Sequence, residues 1–229
     1  MPSSSASPTG RCSRSSACGA SSAATTRSPN TITEHSIGDP ALTAGEGGAG
    51  LRAVLDRARS ELAALPWFSS VGQPPAQAET AEAEAYWHAL DPDAGGTIHW
   101  VADWAEAERI VRDPAGAGWW AAEAGLHRAS LAAIGPVAET PAFIGALNEA
   151  VHAVSDIVMG AAALAAARDG VAGEAVIRVA AGAAGEAAEQ VMAARLAGAA
   201  PDHPFEIKLR LYAGGRWPLG LAGEALAIF

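Results

Sequence analysis

Lysine is almost missing from this 229-residue chain: Lys208 is the only one, and the remaining side-chain cations are arginines and histidines. Cysteine is as scarce. Cys12 and Cys18 both lie near the start, so residues 51–229 hold no disulfide and no thiolate metal site. Basic residues are outnumbered 25 to 15 and form no stripe, which excludes a phosphate backbone as the expected partner and leaves no nucleic-acid role. No charge-free apolar run reaches about 18 residues without heavy dilution by alanine and glycine, so no membrane span is expected. A signal peptide needs an apolar run of at least about seven residues, and none stands near the start. The expected location is cytoplasmic.

Chemical motifs are missing too. The chain has no phosphate-binding loop, no dinucleotide fingerprint, no nucleophile elbow and no His-Glu-x-x-His pair. No cofactor is expected on these grounds.

What the chain does have is alanine, in segments with helical period. Residues 1–50 stand apart: Ser, Ala, Thr, Gly and Pro dominate, with no apolar periodicity to offset the entropy of ordering. They read as a disordered tail, as a transit segment free of acids before Glu34, or as residues upstream of the true start. From residue 51 on, the spacing predicts six helices in one domain. These cover about Leu51–Leu65, Gln77–Leu90, a short helix capped by Asp103, Gly118–Ile134, Pro141–Ala167 and Val171–Ala199. Asp103 with Glu106 makes an acidic capping-box pattern, and Thr140-Pro141 an N-cap and first-position pair. Thr97–Val101 reads as a short strand.

At the C-terminus the period changes. Phe205-Glu206-Ile207-Lys208-Leu209-Arg210-Leu211 alternates strictly, the pattern of a strand with one buried face. Gly214-Gly215 then fits a tight turn, Trp217–Leu221 a return strand and Gly223-Glu224 a second turn before Ala225–Phe229. Pro218 lacks an N–H and marks an edge or a bulge. The expected fold is therefore mainly α, with a small antiparallel β-hairpin or meander over residues 205–229.

Three groups of residues are site-like. Glu149, His152 and Asp156 include the Glu-x-x-His spacing of carboxylate-bridged metal bundles. On a helical wheel of about 100° per residue they lie at roughly 180–240° from Phe143, opposite the apolar stripe, so they read as a solvated face and no metal is expected. Glu186 and Glu189 likewise lie opposite the stripe Val176, Ala180, Ala184, Ala187, Val191 and Ala194. His127 falls among apolar neighbours with Glu123 one turn before it, which makes Glu123 and His127 the candidate acid–base pair. Finally, Trp87, Trp100, Trp104, Trp119 and Trp120 are clustered in sequence. Adjacent tryptophans on a helix cannot both face one core, so Trp87, Trp100, Trp119 and Trp120 are the candidate ligand or partner surface.

Two functions follow as expectations. The first is a non-catalytic interaction or accessory protein that binds a protein partner or itself through a tryptophan-bearing surface. The second is a small helical enzyme or ligand binder with a pocket around His127, Glu123 and Trp120.

Overall fold

Thr140 shows how locally coded this fold is: its Oγ1 accepts from Phe143 N–H at 3.2 Å, and Pro141 supplies the first helical residue, as the sequence pattern predicts. The computed structural model describes residues 47–91, 95–112, 117–171 and 173–229. The tail expected over residues 1–50 lies outside the described residues, apart from its last four, which open the first helix.

The elements are α1 (Gly47–Ala63), α2 (Gln77–Leu90), β1 (Ile98–Trp100), α3 (Trp104–Val111), α4 (Ala117–Ile134), a 3-10 turn (Gly135–Glu139), α5 (Pro141–Arg168), α6 (Glu174–Leu196), α7 (Pro204–Ala213), β2 (Pro218–Ala222) and β3 (Ala225–Ile228). The fold is mostly helical, with a small sheet near the C-terminus. Asp103 caps α3 through Glu106 N–H, and the Glu106 carboxylate reaches back to Ala102 N–H, one residue beyond the simplest capping box.

The long α5 and α6 pack against each other, with α1, α4 and α7 around them. The stripe Val176, Ala180, Ala184, Ala187, Val191 and Ala194 is buried throughout. Small side chains on that face let the helix backbones approach closely. Toward its end α6 is covered on further sides, and Ala188, Met192 and Ala193 are buried as well. Gly182 and Gly185, each unfavourable in a helix by about 1 kcal/mol relative to alanine, do not interrupt it.

The alternating segment forms a helix, not a strand, and this corrects the expectation for residues 205–211. Pro204 occupies the first helical position, His203 caps it and Gly214 closes it. The alternation misleads because Lys208 is buried, paired inside the protein. The outward charges of α7 are then Glu206 and Arg210, spaced four apart as on one helical face. A seventh helix replaces the first strand of the expected meander.

The remaining β prediction holds in part. β2 and β3 form an antiparallel hairpin, and β1 adds to β3 in parallel, giving the mixed order β1-β3-β2. Pro218 sits on the edge strand beside a bulge between Pro218 and Gly220. Trp217 and Phe229 exchange backbone hydrogen bonds at 2.7 and 2.9 Å, which fixes the buried Phe229.

Candidate functional site

Four helices each send one polar side chain to a single buried point. Glu123 comes from α4, Lys208 from α7, Tyr86 from α2 and Gln190 from α6. Lys208 Nζ donates to Glu123 Oε1 at 2.8 Å, to Glu123 Oε2 at 2.9 Å and to Gln190 Oε1 at 3.1 Å. The Tyr86 hydroxyl also donates to Glu123 Oε1. Gln190 Nε2 in turn donates to Glu186 Oε1 at 3.1 Å, which carries the network to an exposed residue.

Electrostatics match this donor–acceptor pattern. Burial, reinforced by the Glu123 carboxylate, holds the Tyr86 hydroxyl well above its ordinary value of 10, so it stays a donor. Tyr212 is raised in the same direction, first by burial and then by Glu123 and Glu186. Its hydroxyl is buried with no hydrogen-bond partner.

Chemically, the cluster resembles an active site in composition but not in access. Glu123 is 1% exposed and Lys208 3%. The carboxylate has three short contacts, and the ammonium has three acceptors at hydrogen-bond distance. A buried pair of this kind holds its elements in one arrangement. It is a bolt through α2, α4, α6 and α7.

His127 does not join it. Glu123 turns toward Lys208, while His127 Nε2 lies 3.9 Å from Glu189 Oε1 of α6 with no hydrogen-bond partner. The expected Glu123–His127 couple is thus divided between two neighbours. Glu149, His152 and Asp156 are all exposed on α5. Among the described residues, no three His, Cys, Asp or Glu side chains gather as a ligand set.

The tryptophans divide as the wheel requires. Trp119 is buried and stacks on Trp87 with centroids 5.7 Å apart and planes at 24°, and Tyr86 meets it edge-on. The next residue, Trp120, is 39% exposed. Trp100 is half-buried, with the Arg216 guanidinium 5.5 Å from its ring centre. Of the four tryptophans expected at a surface, Trp120 is the exposed one.

Two arginines carry connections that the sequence reading missed. Arg216 is buried after Gly215, and its guanidinium donates to Ser70 O, Gln73 O and Pro74 O at 2.5–3.0 Å and to both oxygens of Glu79. Burial alone would raise the Glu79 pKa, but the hydrogen bonds from Arg216 and from Ala76 N–H outweigh it and hold the value below 4.5. Arg195 grips Glu206 and Glu61, joining α6 to α7 and α1. Its hydrogen bond is the main cause of the lowered Glu61 pKa. Only an isolated arginine next to two glycines, or a lone lysine among apolar residues, hinted at such roles.

A groove of about 540 Å³ lies between the segment after Phe68, the start of α3 and the end of α5. Its polar lining is already engaged. Arg168 holds Ser69 O and Val71 O, while Asp169 accepts from Arg168 and from the Trp104 indole. Phe68, next to this wall, has φ +59°, an uncommon value for a non-glycine residue.

Helix α5 exposes several large apolar residues. Ile144, Ile157 and Met159 are each at least 40% exposed and Leu164 is 73% exposed. Between them Ala153, Gly160 and Ala163 are exposed too. By length and composition α5 is apolar enough to cross a membrane, contrary to the dilution argument from sequence. One side of it nonetheless forms the core stripe Phe143, Leu147, Val154 and Val158.

No protein-family model, curated protein or solved structure matches the chain.

Proposed function

We propose that the protein is a non-catalytic helical interaction module that docks a protein partner, or a second copy of itself, on the outer face of α5. The observation that carries this reading is the pair Ile157 and Leu164, large apolar side chains exposed two turns apart on one side of α5. Exposed apolar side chains grouped on one element favour a protein interface, whereas singly scattered ones are ordinary. Small residues between them suit the close approach of another helix. Trp120 adds a separate aromatic contact on α4.

Glu149, His152 and Asp156 lie beside Ile157 and Leu164, on the solvated face opposite the core stripe. Charged groups are costly in a lipid core, so a protein surface fits this helix better than a bilayer. The pocket reading around His127, Glu123 and Trp120 has less support, because Glu123 is sealed from solvent.

The test is an Ile157→Glu/Leu164→Glu double variant of the full chain, studied by light scattering and by crosslinking in native extract. Both residues are exposed, so the variant is expected to fold. The expected result is that assembly beyond the 23.0 kDa monomer, or crosslinking to a partner protein, is lost in the variant. A monomer without crosslinks, assembly unchanged in the variant, or binding to lipid vesicles in place of protein overturns the proposal.

A further inference from the structure

Helix α7 begins on an uncommon cap. The residue before it is His203, not Ser, Thr, Asp or Asn, and His203 Nδ1 accepts from Phe205 N–H at 3.2 Å. The other first-turn groups need nothing from this side chain. Pro204 has no N–H, and Glu206 N–H and Ile207 N–H both bond to His203 O, at 2.9 and 3.1 Å. Phe205 is fully buried, so its amide depends on that one imidazole nitrogen.

A histidine nitrogen accepts only when it is unprotonated; in the imidazolium both ring nitrogens are donors. Protonation would thus replace an acceptor by a donor and place a positive charge at the positive end of the helix. We infer that His203 is a proton-sensitive cap, and that its protonation releases the first turn of α7 from the core.

The surrounding charges are specific. Asp202 and Glu206 flank the ring in sequence. Glu206 is held by Arg195 of α6, which also binds Glu61 of α1. Arg210 of α7 binds Glu82 of α2 and Pro201 O, closing the other side. Asp202 and Glu206 favour the imidazolium, but burial outweighs them and lowers the His203 pKa from its ordinary 6.5. With the folded value below the unfolded one, this group's contribution is complete above 6.5. It is lost as pH falls through the folded value. The helix whose first turn is loosened also carries Lys208.

Amide hydrogen exchange on the full chain tests this, comparing wild type with His203→Asn and His203→Asp, whose side chains cap without needing an imidazole. Between about pH 7.5 and about pH 5, the Phe205 amide of the wild type should lose about fivefold protection after correction for intrinsic rates. His203→Asn should show no such change, and His203→Asp should hold until the carboxylate range. In addition, ¹⁵N shifts at neutral pH should show His203 Nδ1 unprotonated. Equal pH dependence in wild type and His203→Asn, or a protonated Nδ1 at neutral pH, overturns the inference.

Discussion

Replacing Lys208 by methionine is expected to destabilise the protein by about 3–5 kcal/mol, because Glu123 is then left buried with its cation removed. Urea unfolding followed by tryptophan fluorescence measures this directly, since Trp119 packs beside Tyr86 in the same region. The triple variant Lys208→Met/Glu123→Leu/Tyr86→Phe removes both charges and the tyrosine donor together, leaving Gln190 still bonded to Glu186, and should recover most of the loss. That asymmetry follows from the physics of burial. An unpaired internal charge keeps its full desolvation cost, whereas an apolar replacement of both charges has none. A single variant as stable as the wild type would mean that the pair does not form in solution.

A second large effect is expected at Arg216. Arg216→Ala should cost about 3–5 kcal/mol, since it takes the guanidinium from the Glu79 carboxylate and from three backbone carbonyls. Arg216→Lys should recover only a small part, because an ammonium cannot span the positions that the planar guanidinium reaches. The same unfolding assay reads both. The effect is large because this one buried side chain ties three carbonyls of the loop to Glu79 of α2. Gly215, at φ +78°, brings the chain so close to Ser69 and Ser70 that an added Cβ would lie 2.7 Å from Ser70 N. Arg216 then enters beneath that loop. A cost of less than about 1 kcal/mol for Arg216→Ala, the size of an ordinary single hydrogen bond, would count against this role.

These effects mark where sequence reasoning reached and where it stopped. Elements governed by local signals were legible: α1 from its apolar period, α3 from Asp103 and Glu106, and α5 from Thr140 and Pro141. The stripe of α6 was legible too, because alanine at helical spacing admits few other structures. Helix α7 was not. Its alternation of apolar and charged residues fits a strand unless Lys208 is known to be internal, and its partner Glu123 lies 85 residues away. Long-range pairing decides the secondary structure there. Glu123 was singled out correctly as unusual, but its expected role with His127 rested on their one-turn separation. Rotamer and burial send the two side chains to different neighbours. The helical angle separates Trp119 from Trp120, and of the two Trp119 is buried and Trp120 exposed.

The central claim is that the most enzyme-like residues, Glu123 and Lys208, form a sealed bolt, which leaves function to the outer surface. The single lysine makes this directly measurable. Under native conditions an amine-acylating reagent applied to the full chain should spare Lys208, which reacts only after unfolding. Rapid native labelling of Lys208 would contradict the account, for it would show an exposed, reactive amine beside Glu123.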